Sequence, residues 1–408
     1  MFFIFFISLF FFLAACTTES SDPDVVLFPK DRSLYGIFPN DPVLGDSIEA
    51  HLSTGIMMTV HPGGIYTISF DIDSTHEAPK MHLFRFYQRR DSNNRGMSTI
   101  DVLTPENRGN RYYYSFVCEE NDMNEWGLTL IENDDYYKGK TSNIHFEGTG
   151  KYSNHLSLNL ISVGKIDFSD EEINIDSLSK LLLRAFRNTY TSFVIDTIYV
   201  NHAEDHPTLG KNYPSDQYWY AGKSSESTDL SELGNWPTKG VTEALDIVLV
   251  HRIEEMNVLG FSRLFSANLI GGENSTVIVG TSVLTSSEER PLTINEIIKI
   301  ALHETGHFFG LRHTTSTWAD LEGYQDLSIL EDGFEDTPSC PALLSTGLYK
   351  KGDASYLLHK KAFGPSFKEE NCPDAELLMF PVSSDNTMRY LSKQELKFLK
   401  QSLMLIPH

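Results

Sequence analysis

Residues 303–313 read His-Glu-Thr-Gly-His-Phe-Phe-Gly-Leu-Arg-His. His303 and His307 are four apart, so on a helix both imidazoles project from one face, one turn from each other. That spacing brings two ring nitrogens to one zinc ion at about 2.0–2.1 Å. Glu304 lies between them in sequence, where it approaches a metal-bound water without ligating. Gly310 accepts a positive φ and lets the chain leave the helix sharply. The turn then brings His313 beneath the metal as a third ligand. Three protein ligands leave a fourth position open, the arrangement of a catalytic rather than a structural zinc.

Outward from this stretch, the helix has a clear start. Thr293 and Glu296 stand at capping-box spacing, and Ile294, Ile297, Ile298 and Ala301 supply a buried face. Upstream, residues 176–190 have helical spacing, and 193–200 reads as a strand. Residues 203–240, rich in Ser, Gly, Pro and Asp, read as a long irregular loop. Residues 247–250 and 277–279 are short apolar runs fit for buried strands. Helix and strand alternate here, so residues 169–408 read as an α/β unit. Residues 47–168 read differently. Tyr66, Ile68, Phe70 and Ile72 alternate with polar neighbours, as do Ile144 and Phe146, and Leu156, Leu158 and Leu160. That period of two, broken by turn-forming stretches, predicts an all-β sandwich. The fold class expected is therefore α+β and multidomain.

The five positions His303, Glu304, His307, Gly310 and His313 resemble the extended signature of the metzincin zinc metalloproteases. The resemblance implies a metzincin-type catalytic domain with an active-site helix. It also implies a zinc-dependent endopeptidase that hydrolyses peptide bonds through a zinc-activated water, with Glu304 as general base. An edge strand at 277–279 would hold an extended peptide or protein substrate. Metzincins carry a methionine in a turn beneath the zinc. Met379 and Met388 are the candidates. Met379 is chosen because it leaves room before a final helix at 391–403 with Ser392 as cap. Met388 has the better-placed tyrosine, Tyr390. Residues 332–340, with Asp-Thr-Pro at 336–338, and a later cysteine, Cys372, resemble the pappalysin-like branch. Asp332 and Asp336 are candidate Ca²⁺ ligands, set against a solvated acidic loop. Cys340 and Cys372 are the candidate disulfide, closing a loop of roughly 30 residues for about 3–4 kcal/mol in the chain-entropy model.

The chain has 408 residues, enough for two cores, and a net charge of −23, which argues against nucleic acid as a partner. Residues 1–13 are apolar and precede Leu13-Ala14-Ala15-Cys16, which resembles a bacterial lipobox. The resemblance implies a lipoprotein signal peptide at 1–15, lipidation at Cys16 and a tether at 16–46. It also implies anchorage in the bacterial cell envelope, at the outer membrane or cell surface, facing an extracytoplasmic compartment; a monomer is expected. No Lys or Arg precedes Lys30, a departure from that pattern. Cys118 is left over, either as a buried inert thiol or as a thiolate that silences the metal site. Two rival functions stand beside the protease: an inactive zinc-binding relative, and a β domain that itself binds a host ligand.

Overall fold

The computed structural model describes residues 36–41, 55–60, 63–72, 75–88, 95–119, 125–133, 135–150, 153–170, 172–222, 244–254, 258–262, 276–284, 288–314, 332, 334–338, 373–380 and 389–400. The leader at 1–15, Cys16, Cys340, Cys372 and Met388 lie outside them.

The first part is built of strands. In chain order these are β1 (Gly36–Ile37), β2 (Ile56–Thr59), β3 (Ile65–Ile72), β4 (Lys80–Gln88), β5 (Arg95–Leu103), β6 (Glu106–Arg108), β7 (Arg111–Val117), β8 (Glu125–Glu132), β9 (Asp135–Tyr136) and β10 (Thr141–Gly148). One sheet runs β1-β2-β8-β4-β5, with β9 on β8; the other runs β10-β3-β7-β6. The pairings are antiparallel except for β1 with β2. The alternation in β3 sends Tyr66, Ile68 and Phe70 inward, each fully buried. They share one core with Met81, Leu83, Trp126 and Leu128 of the other sheet. Phe116 of β7 stacks on Trp126 of β8, ring centroids 5.6 Å apart, which joins the two sheets face to face.

Residues 36–41 fall in the span expected to be a tether, yet they are built into the fold. Ile37 is buried in this core and Phe38 in the next one along the chain. Asn40 Nδ2 donates to the Gly148 and Gly150 carbonyls at 2.8 and 2.6 Å. Two adjacent apolar side chains bury more favourably than they hydrate, so the polar composition of the preceding segment does not extend to them.

The second part contains β11 (His155–Ser162), α1 (Ile175–Thr189), β12 (Val194–His202), β13 (Tyr220–Ala221), β14 (Leu245–Ile253), β15 (Gly260–Ser262), β16 (Thr276–Leu284), β17 (Glu289–Pro291), α2 (Ile294–Phe308) and α3 (Lys393–Leu399). Its sheet runs β12-β11-β14-β16-β15, with β13 on β14 and β17 on β16. β12, β11, β14 and β16 pair in parallel, whereas β15 and β17 run antiparallel to β16. The molecule is thus an α+β protein, with antiparallel sheets followed by a mixed sheet and helices.

Three sequence expectations change here. β11, expected among the N-terminal sheets, lies between β12 and β14. Both faces of it are covered: Leu156, Leu158 and Leu160 join the core under α1 and α2, while Ile161 joins the opposite core. β16, expected to be the edge, is flanked by β14 and β15, and β15 is the outer strand. The expected loop at 203–240 carries regular structure over its described residues. Its described portion, 203–222, makes two short 3₁₀ turns and β13, and buries Ala203 and Tyr213 against β14. Among the described residues no helix is long and apolar enough to cross a membrane.

Candidate metal centre

α2 is fixed at both ends by its sequence. Thr293 Oγ1 accepts from Glu296 N–H at 3.3 Å, and Glu296 Oε2 accepts from Thr293 N–H at 2.8 Å. Arg290 adds a bidentate pair to Glu296 at 2.7 and 3.1 Å. Burial opposes ionisation of Glu296, but these donors outweigh it and hold the carboxyl below its ordinary range. At the other end Gly310 has φ 97°, a conformation open to glycine. Gly310 N–H donates to the His307 carbonyl at 2.9 Å and Leu311 N–H to the Gly306 carbonyl at 2.9 Å. This Schellman closure stops the helix just after His307 and turns the chain back toward it.

The turn delivers His313 to the two helical histidines. His313 Nε2 lies 3.3 Å from His303 Nε2 and 3.1 Å from His307 Nε2. Tetrahedral ligands at about 2.0–2.1 Å from one ion stand roughly 3.3 Å from each other. The outer nitrogens set the tautomer. His303 Nδ1 donates to the Leu378 carbonyl at 2.7 Å, and His307 Nδ1 donates to the Leu311 carbonyl at 2.9 Å. A carbonyl only accepts, so each Nδ1 carries a proton, and each ring when neutral turns an Nε2 lone pair inward. Lone pairs converging at such distances repel unless a proton or a metal ion lies among them. The donor set and its orientation therefore fit a metal such as zinc. Among the described residues these three histidines are the group of three or more potential ligands close enough to hold one ion.

Glu304 is buried at 9% exposure and faces β15. A Cβ placed on Gly260 would stand 3.0 Å from Glu304 Cγ, so the strand backbone lies directly against this side chain. Met379 is fully buried under α2. A Cβ on Gly306 would meet its Sδ at 2.3 Å, so helix and methionine touch only because position 306 is glycine. The Met379 carbonyl accepts from Thr314 N–H at 3.1 Å, and the next bond along is the Leu378 carbonyl to His303. One turn therefore holds both arms of the histidine cluster. It is closed by Leu378 N–H to the Tyr390 carbonyl at 2.7 Å.

Asp332 and Asp336 lie beside α3. Asp336 accepts from Ser392 Oγ at 2.9 Å and Gln394 N–H at 3.1 Å; Asp332 accepts from Phe334 N–H at 3.0 Å and Thr337 Oγ1 at 2.6 Å. Every oxygen of the two carboxylates already has a protein donor. Ser392 caps α3 with Glu395 in a second capping box. Cys118 is buried in the N-terminal core, with its Sγ 3.7 Å from the Glu119 carbonyl.

Sequence reasoning located the three histidines and missed what aims them. The Leu378 and Leu311 carbonyls carry no side-chain signature. Gly260 gives a faint one, since glycine inside a strand marks a close approach of another group.

No family model and no curated protein matches the chain. Among solved structures it is similar to metalloproteinase-II from Bacteroides fragilis, at 15% identity and a TM-score of 0.25, over 74% of this chain and 92% of that one. It is also similar to the glycosylation-associated protein (Gap123) complex from Streptococcus agalactiae, at 14% identity and a TM-score of 0.15, over 47% and 51% of the two chains. Both are distant, and at such TM-scores neither bears on how the site works. The site itself defines the class: an α+β protein with a three-histidine cluster able to hold a metal such as zinc.

Proposed function

We propose that this protein is a zinc-dependent endopeptidase of the metzincin type, with His303, His307 and His313 as ligands and Glu304 as general base. The observation that carries this reading is the pair of Nδ1–H to carbonyl bonds, which leave two Nε2 lone pairs aimed at one point beside His313. A zinc ion held there by His303, His307 and His313 would supply Lewis acidity, able to polarise a carbonyl and to draw the pKa of a water toward about 7. Glu304 follows His303 on the helix, takes the proton from the attacking water and delivers it to the leaving amine. β15 is the outer strand of the mixed sheet and passes against Glu304, so it replaces 277–279 as the edge that would bind an extended peptide. Met379 serves as the methionine turn, supporting His303 through the Leu378 carbonyl.

The proposal extends to organisation. The catalytic unit begins with β11 rather than after residue 168, and the two antiparallel sheets form a sandwich before it. Anchorage through Cys16 in the bacterial envelope, a Cys340–Cys372 bridge, calcium at Asp332 and Asp336 and a monomeric state are proposals that the sequence alone motivates. Mass analysis of the membrane-extracted protein checks the first two: an unmodified Cys16 or a free Cys340 thiol removes them. Calcium titration of the purified protein and its mass by light scattering check the others.

The deciding experiment compares the chain from Thr17 onward with its Glu304→Gln variant on a mixed peptide library, with and without a zinc chelator. Wild type is expected to cleave, to lose cleavage on chelation and to regain it with zinc. Glu304→Gln is expected to bind one zinc and cleave nothing. Full activity in that variant would falsify the assignment of the base.

A further inference from the structure

β15 crosses α2 at Gly260. A Cβ there would stand 2.7 Å from Ile300 Cγ2, 2.8 Å from the Ile278 carbonyl oxygen and 3.0 Å from Glu304 Cγ. Ile300 and Glu304 are four apart on α2, so both side chains meet the strand from the same helix face. From the other side the strand is held by β16. Gly260 pairs with Val279, and Gly280 N–H donates to the Leu259 carbonyl at 2.8 Å. The strand cannot back away from the helix without giving up that ladder. The buried methylenes of Glu304 therefore have strand backbone for a ceiling.

We propose that Gly260 is a positioning residue for Glu304, its bare backbone setting where the Glu304 carboxylate lies relative to the three histidines. The proposal rests on the reading of Glu304 as the general base. A β-carbon at 260 must displace something. The Ile278 carbonyl belongs to a strand paired on both sides and Ile300 is packed into the core under α2, so their resistance passes the displacement to Glu304, a longer side chain with more rotatable bonds. His303 and His307 are anchored through Nδ1 to the Leu378 and Leu311 carbonyls. Those anchors lie off β15, so the metal ligands stay in place. Substitution at 260 thus separates metal binding from catalysis.

The test uses the full-length protein. Gly260→Ala is expected to keep zinc affinity, measured by chelator competition, within about threefold of wild type. Its kcat on a peptide substrate is expected to fall about tenfold with KM nearly unchanged: Glu304 Cγ, 3.0 Å from the new carbon, must give by a few tenths of an ångström, and a full misplacement of about 1 Å costs on the order of 10²-fold. Adding Ile300→Ala makes room beside the new methyl. The double variant is expected to regain at least threefold in kcat over Gly260→Ala, with Ile300→Ala alone as reference. An unchanged kcat in Gly260→Ala overturns the proposal. A joint fall of zinc affinity and kcat also overturns it, because that marks a general collapse of the edge. So does a double variant that is folded by circular dichroism and recovers nothing. Wild type that binds zinc and cleaves no peptide sinks the protease reading and this proposal together, whereas cleavage by wild type and Gly260→Ala alike sinks this proposal alone.

Discussion

Gly306 sits between His303 and His307 on the helix, and two effects compete there. Inside a helix, alanine is better than glycine by about 1 kcal/mol, so Gly306→Ala gains on propensity alone. The methyl, however, would stand 2.3 Å from Met379 Sδ and 3.1 Å from its Cε, in a site with no exposure. Overpacking of a buried site costs about 1–3 kcal/mol. The second effect is expected to win, and Gly306→Ala to lower the urea midpoint. Its effect on metal is expected to be larger. Pushing Met379 shifts its neighbour Leu378, whose carbonyl orients His303. Disturbing such a supporting hydrogen bond costs about 10–100-fold in metal affinity, which chelator competition reads directly. A variant as stable as wild type with full zinc affinity would show that Met379 yields freely and supports nothing.

At the scale of elements, α2 was legible in full. Its start is written in side chains, Thr293 and Glu296, and its end in Gly310, because capping and left-handed turns are local chemistry. Gly310→Ala is therefore expected to cost about 1–2 kcal/mol in a thermal or urea melt, and Gly310→Asn less, since asparagine tolerates positive φ better. The Leu311 carbonyl that holds His307 lies in the same closure, so zinc affinity should fall along with stability. Equal melting of the two variants and wild type would mean the closure contributes nothing. The strands were legible only as strands. Leu156, Leu158 and Leu160 alternate, and alternation says which residues share a face, not which sheet supplies the neighbour. β11 went to the mixed sheet because its long-range partners, β12 and β14, lie 32 or more residues downstream by the closest element ends, beyond any local signal. β15, three residues long, is too short for periodicity to register, so the outer edge was assigned one strand inward.

The whole molecule holds an acidic cluster near the three histidines, buried at Asp374 and Glu395, half-buried at Asp332 and exposed at Asp336, and it gives stability an unusual pH dependence. Asp332 and Asp336 come from the segment after the third histidine, Asp374 from the turn before Met379 and Glu395 from α3. Asp374 Oδ2 accepts from Thr314 Oγ1 at 2.7 Å, which ties the cluster to the residue after His313. Burial pushes Glu395 up to about 8, with the Asp332 and Asp336 charges adding to it, and pushes Asp332 up to about 6. Both pKa values are raised above those of the unfolded chain, so between them the folded protein binds more protons than the unfolded one. Stability from Glu395 is then full below about 4.5 and is lost as pH rises toward 8; for Asp332 the window runs from about 4 to 6. A single such group changes stability by at most about 1.4 kcal/mol per pH unit inside its window. Metal acts in the opposite sense, because protonated histidines release it as pH falls. Urea melts in chelator remove that contribution, and the difference between wild type and Glu395→Gln in those melts isolates the carboxylate. The metal-free protein is expected to lose stability steadily from pH 5 to 8, and Glu395→Gln to flatten most of that slope while still accepting from Ser392 N–H. With zinc present, the slope should shrink or reverse between pH 5 and 7. If the slopes of wild type and Glu395→Gln coincide in the metal-free protein, Glu395 is ionised in the fold, and its burial does not govern the pH dependence.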